Sequence, residues 1–203
     1  MKNSSYTIAI FLSTSLLALA NTTEAPKIED SSTVAEFDNA EVKKMEWQIV
    51  DDGVMGGLSK GNLRMTKNET MVFSGNLSLE NNGGFSSVRS ADVKMDLKNY
   101  KGLTLRVNGD GRTYQVRLAS DARFRSSQVS FMAEFETTKD EWTVVKIPFK
   151  KFEGSWRGMD LPDKVLNTAD IQRVGLLIAD KKEGPFAVEV DWIRPYGKAG
   201  KKS

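Results

Sequence analysis

Apolar residues in this chain recur at every second position in short runs punctuated by glycine, and no window holds a 3.6-residue period. Period two is the geometry of a strand, where successive side chains leave opposite faces, so the chain is constrained to build sheets. The clearest run is Leu103-Thr-Leu-Arg-Val107, with Leu103, Leu105 and Val107 on one face and Thr104 and Arg106 on the other. Asn108-Gly-Asp-Gly-Arg112 reads as a turn, and the next strand carries Tyr114, Val116 and Leu118 inward with Gln115 and Arg117 outward, which predicts a hairpin. Val129, Phe131, Ala133 and Phe135 alternate with Ser130, Met132, Glu134 and Glu136, and Trp142 to Pro148 gives another strand. Val174-Gly-Leu-Leu-Ile178 is apolar enough to lie centrally, and Phe186, Val188, Val190 and Trp192 form the expected inward face of the last strand. With weaker runs at Gly61 to Thr66, Thr70 to Ser74 and Ser86 to Arg89, eight or nine strands are expected, and a two-sheet antiparallel sandwich is the natural all-β architecture.

The 203 residues suit one domain, which at this size buries roughly 70% of its unfolded surface and holds a core without staples. Residues 1–20 read as a signal peptide: Lys2 in a polar start, an apolar stretch from Ile8 to Ala20, and Ala18-Leu-Ala20 as a small-x-small cleavage site. That stretch is broken by Ser13, Thr14 and Ser15 and falls short of the roughly 20 residues a spanning helix needs, so an exported, periplasmic or secreted product without stable membrane insertion is expected. Residues 21–44 read as a polar linker ending in a short helix around Glu36 to Met45, residues 45–196 as the folded domain, and residues 197–203 as a basic, solvated tail.

The chain has no cysteine and no histidine. That excludes disulfides, thiolate nucleophiles, iron–sulfur clusters, Cys- or His-type zinc sites and Ser–His–Asp catalysis. The formal charge is +2, and without Lys198, Lys201 and Lys202 the balance is 26 basic against 27 acidic groups, which argues against a nucleic-acid partner. Neither GxGxxG nor GxxxxGK[ST] occurs in the domain. Binding is expected over catalysis, with no cofactor and no metal.

The segment Trp47-Gln-Ile-Val-Asp-Asp-Gly-Val-Met-Gly-Gly-Leu-Ser59 resembles the opening signature of the family of NADH:ubiquinone oxidoreductase complex I intermediate-associated protein 30. Further matches follow in order at Phe73 to Gly75, Asn82 to Arg89, Gly109 to Tyr114, Trp142 to Phe149, Gly175 to Ile178 and Gly184 to Ile193, so the resemblance is domain-wide. It implies a galactose-binding-domain-like jelly-roll sandwich. It also implies a chaperone-like factor in complex I assembly, without chemistry of its own and with a protein partner.

Several residues are candidates for binding. Asp51 and Asp52 could supply oxygens to calcium or contact a ligand, against the reading that one caps a turn while Gly53, Gly56 and Gly57 supply positive φ. Arg89, Asp110, Arg112 and Asp191 fall within the matching motifs and form either an ionic network or a recognition surface. The outward set Arg106, Gln115, Arg117, Ser130, Met132 and Glu134 would suit hydrogen bonding to sugar hydroxyls, with Trp156 or Tyr114 as a stacking platform. Trp156, in a loop between Ser155 and Arg157, is the best aromatic for that role. A carbohydrate-binding module is thus the alternative to a protein-binding factor, and a small carboxylate hydrolase is a third reading that needs two acids across a cleft.

Overall fold

The computed structural model describes residues 33–37 and 45–198. The expected signal peptide, most of the expected linker and the end of the basic tail lie outside them. Among the described residues the strands run in chain order β1 (Ala35–Glu36), β2 (Gln48–Asp51), β3 (Lys60–Met65), β4 (Met71–Leu77), β5 (Ser86–Arg89), β6 (Gly102–Asn108) and β7 (Thr113–Phe124). They continue with β8 (Ser127–Glu136), β9 (Trp142–Pro148), β10 (Glu153–Trp156), β11 (Met159–Asp160), β12 (Arg173–Ile178) and β13 (Gly184–Tyr196). One sheet has the order β3-β4-β13-β6-β9, with β1 paired to β13; the other has the order β11-β10-β8-β7-β12-β5-β2. All of these strand pairs are antiparallel.

The core lies between the two sheets and is filled by the alternation itself. Leu103, Leu105 and Val107 of β6 and Phe73 of β4 face Tyr114, Val116 and Leu118 of β7 and Val174, Leu176 and Ile178 of β12, all fully or almost fully buried. Phe73 and Phe186 meet edge-to-face with centroids 5.0 Å apart. The Tyr114 hydroxyl, buried with its ring, donates to Asp110 Oδ2 at 3.0 Å; burial first and the Asp110 charge second push its pKa up.

Three local expectations change. β6 and β7 form no hairpin: β6 pairs with β13 and β9, β7 with β8 and β12, so Asn108–Arg112 crosses from one sheet to the other. Residues 34–37 are not linker. Val34, Ala35 and Phe37 are buried, and Ala35–Glu36 pairs with Ile193 and Trp192, because the edge of β13 offers backbone partners that composition does not reveal. Trp192 does not join the inward face. A register shift between Val190 and Trp192 leaves Asp191 unpaired, turns Ile193 into the core and places Trp192 opposite Arg106 on the outer face.

Candidate functional site

Because β5, β7 and β12 send Val88, Val116, Leu118, Val174 and Leu176 into the core, the residues between them face outward from the seven-stranded sheet. Their register lines up one row across six strands: Glu153, Met132, Arg117, Gly175, Arg89 and Gln48. Strands lie about 4.8 Å apart, so Arg117 and Arg89 stand roughly 10 Å apart at their Cα atoms on either side of Gly175. A Cβ at Gly175 would fall 2.5 Å from the Val88 carbonyl oxygen and 3.4 Å from Arg89 Cγ, so the strand admits only glycine between the two arginines.

Neither arginine has an acidic partner among the described residues. Arg89 Nε donates to Ser87 Oγ at 3.1 Å, and Arg117 Nη1 donates to Ser155 Oγ at 3.2 Å, whose hydroxyl in turn donates to the Ser130 carbonyl. Burial first, and the charge of Arg89 second, lower the Arg117 pKa to about 10; burial and then Arg173 lower that of Arg89. Both remain cationic at neutral pH. Arg173, two residues along β12 from the row and on the same face, is itself bonded to Asp92. On the adjoining row Gln115 donates to Glu134 at 3.1 Å while its own Oε1 is buried without a donor, and both residues line a shallow cleft of 240 Å³.

Arg112 and Asp110 belong to a different device. Arg112 makes a two-pronged ion pair with Asp180, Nε to Oδ2 at 2.9 Å and Nη2 to Oδ1 at 2.6 Å, and also donates to the carbonyls of Lys182, Gly184 and Pro185. The pair is 11% and 5% exposed, so it is effectively interior. Asp110 accepts from the Arg112 and Ala187 amides as well as from Tyr114. These bonds clamp the crossover after β6 to the segment entering β13. Asp180 was not singled out by the sequence, since it lies 68 positions from Arg112 with no local pattern to connect them.

Asp51 and Asp52 also have their oxygens occupied by the fold rather than turned to a ligand. Asp51 accepts from the Ser86 hydroxyl and the Gly61 amide. Asp52, fully buried, accepts from the Ser59 amide and hydroxyl and from the amides of Gly84 and Phe85. Burial acts to raise its pKa, but the hydrogen bonds from Ser59, Gly84 and Phe85 outweigh it and leave the carboxyl below its ordinary value. Of the glycines expected at positive φ only Gly56 has it; Gly57 serves instead for close approach, since a Cβ there would lie 2.3 Å from the Asp52 carboxyl carbon.

Arg106 sits on the opposite sheet from Gln115, Arg117, Ser130, Met132 and Glu134, which corrects the expectation of one shared face: the crossover at Asn108–Arg112 separates them. It pairs with Asp191 and lies 4.4 Å from the Trp142 ring centroid. Both ends of that pair are about a third exposed, so Arg106→Ala is expected to lower the unfolding free energy measured in urea by only about 1 kcal/mol. Trp156 is in β10 rather than a loop. Its ring packs edge-on against Phe124 at 5.4 Å with Arg125 and Arg157 beside it, which leaves it poorly placed as an open platform.

The sequence profile of the family "Complex I intermediate-associated protein 30" matches residues 35–190. The chain belongs to that family. Complex I intermediate-associated protein 30, mitochondrial, of Mus musculus is 31% identical over 170 residues, covering 73% of this chain and 51% of the mouse protein. The probable counterpart in Caenorhabditis elegans is 29% identical over 170 residues, 74% of this chain and 50% of that one. The chain therefore spans about half the length of these curated relatives. Among solved structures, the family 11 carbohydrate-binding module of Clostridium thermocellum, in complex with a mixed-linked tetrasaccharide, superposes with a TM-score of 0.58 at 16% identity, covering 75% of this chain and 89% of the module. A family 11 module of a cellulosomal cellulase from the same organism gives 0.53 at 14% identity, covering 77% and 91%. At such identities the likeness is one of fold, and the galactose-binding-like sandwich implied by the resemblance is the fold of this intermediate-associated protein 30 family member.

One expectation is overturned by these relatives. They are mitochondrial proteins, which contradicts the exported, periplasmic or secreted location expected from residues 1–20. That expectation stood on the hydropathy of a short stretch outside the described residues, whereas the family match rests on the whole sandwich.

Proposed function

We propose that this chain is a non-catalytic assembly factor that acts by holding a protein component of complex I or of its intermediates. The observation that carries this reading is the family match over residues 35–190 together with relatives named for association with complex I intermediates. The polar chemistry supports it. The carboxylates of Asp51, Asp52, Asp110 and Asp180 are engaged by backbone amides, hydroxyls or Arg112, so none of them stands free as a general acid or base. Capture with a tagged full chain from detergent-solubilised respiratory membranes, followed by native electrophoresis, is expected to recover partially assembled complex I. Deletion is expected to lower mature complex I while other respiratory enzymes stay at their normal level; normal complex I after deletion, with no co-migrating intermediate, would overturn the reading.

Carbohydrate binding finds less support from the residues. Its expected aromatic, Trp156, is packed against Phe124, and Arg106 and Arg117 lie on different sheets. A glycan array checks the point: no saturable sugar binding is expected, and strong binding abolished by Trp156→Ala would favour the carbohydrate module instead.

A further inference from the structure

The most unusual charge arrangement among the described residues is the central row of the seven-stranded sheet. Arg112 has Asp180, Arg106 has Asp191, Arg173 has Asp92 and Arg194 has Glu36. Among the described residues the exposed Arg64, Arg123, Arg125 and Arg157 also lack an acidic partner, but Arg89 and Arg117 are part-buried, each is bonded to one serine hydroxyl, and each lies next to the same glycine. Two guanidinium groups held together without a counterion oppose each other and have lost part of their hydration, a cost that an incoming anion relieves. A guanidinium carries five N–H donors; with one donor of each arginine engaged, most of both forks remain for a planar, two-oxygen acceptor.

We propose that Arg117 and Arg89, on either side of Gly175 in one row, form a receptor for the carboxylate of an Asp or Glu side chain in an extended acidic segment of a partner protein. The row from Glu153 to Gln48 sets the direction of that segment, across the strands. Met132 beside Arg117 gives an apolar contact for the methylenes next to the carboxylate, and Gln48 beside Arg89 gives a polar contact at the edge strand. Glu153, at the far end of the row, repels acid there and restricts the carboxylate to the arginine pair. This inference rests on the protein-binding reading and names the chemistry of the partner for it.

The test uses the full chain and a fluorescein-labelled decapeptide of alternating Glu and Ser, with the Gln–Ser peptide, inorganic phosphate and polygalacturonate as comparison probes. At physiological salt the acidic peptide is expected to bind saturably and the Gln–Ser peptide not to bind. Arg117→Gln and Arg89→Gln are each expected to weaken binding by about ten- to hundredfold, as for loss of a charged hydrogen-bonded contact, while Lys146→Gln on the opposite sheet leaves it unchanged. In the unmodified protein, hydrogen exchange with the acidic peptide bound is expected to show protection in residues 86–89, 115–118 and 173–177, a readout that survives even if a variant folds poorly. Equal binding of the Gln–Ser peptide, tighter binding of phosphate or polygalacturonate, insensitivity to both substitutions, or protection confined to other residues would overturn the proposal. If capture of complex I intermediates persists in Arg89→Gln and Arg117→Gln while the peptide result fails, this site is lost and the assembly reading stands; if capture itself fails in the unmodified chain, the assembly reading goes first.

Discussion

Replacing Arg112 with alanine is expected to lower the unfolding free energy by about 3–5 kcal/mol, the range for removing one partner of a buried ion pair and stranding the other. For a domain of this size that is a fall in Tm of roughly 6–20 °C. The substitution strands the Asp180 carboxylate, 5% exposed, and frees the carbonyls of Lys182, Gly184 and Pro185 that the guanidinium now binds. Asp180→Ala should cost a similar amount, because it leaves Arg112 buried without its counterion. The double variant should be less unstable than the sum of the two, with a coupling of about 1–3 kcal/mol read from denaturant unfolding. A loss below about 1 kcal/mol for either single variant would mean that the pair is solvated and that the crossover after β6 is held by something else.

Asp52→Ala is expected to cost about 3–5 kcal/mol as well, by a different route. It leaves the amides of Ser59, Gly84 and Phe85 without their acceptor inside the protein, while the Ser59 hydroxyl keeps only the Ser78 carbonyl at 3.2 Å, and each unmade bond costs about 1–3 kcal/mol before water or local movement recovers part of it. Asp52→Asn keeps the volume but turns an NH₂ group toward one of those donors, so it should be clearly destabilising and not a silent replacement. The same carboxylates give the protein an acid limit. Asp52 and Asp180 both have folded-state pKa values below the ordinary 3.8, so their contribution is fully present above that value and is lost as pH falls through the lower, folded-state pKa. Unfolding monitored from pH 7 down to pH 2 should therefore show stability falling below about pH 4, with a shallower fall in Asp52→Asn than in the unmodified chain.

The sequence carried most of the fold because one physical signal, period two, is written in each strand separately. Leu103 to Val107 and Val129 to Phe135 show their faces without reference to any neighbour and are buried as the alternation requires, while Val174 to Ile178, apolar on both faces, is buried throughout as a central strand. Strand partners were not written locally. The turn Asn108-Gly-Asp-Gly-Arg112 has hairpin composition, yet its Asp110 and Arg112 bind residues 180–187, so it joins two sheets rather than two neighbours. The phase of β13 was legible as far as Val190, and the bulge at Asp191 then exchanged the faces of Trp192 and Ile193.

The candidate site divides along the same line. Arg89 and Arg117 were legible as outward or motif residues, and Gly175 as a glycine inside a central strand, because each depends only on its own position in an alternating run. That the three stand in one row, with no acidic partner among the described residues, follows from the registers of β5, β12 and β7, which pair Gly175 with Arg89, 86 positions away, and with Arg117, 58 positions away. Asp51 and Asp52 show the converse: their residue type suggested a ligand site, and the approach of Ser59, Gly61 and residues 84–86 made them internal acceptors. Sequence alone determined that this chain makes a two-sheet sandwich without thiol or imidazole chemistry, since periodicity and composition are local properties. Only the tertiary structure decided which charges are neutralised inside the protein and that Arg89 and Arg117 stand in one row with no acidic partner among the described residues, since compensation of charge depends on distances that chain order does not contain.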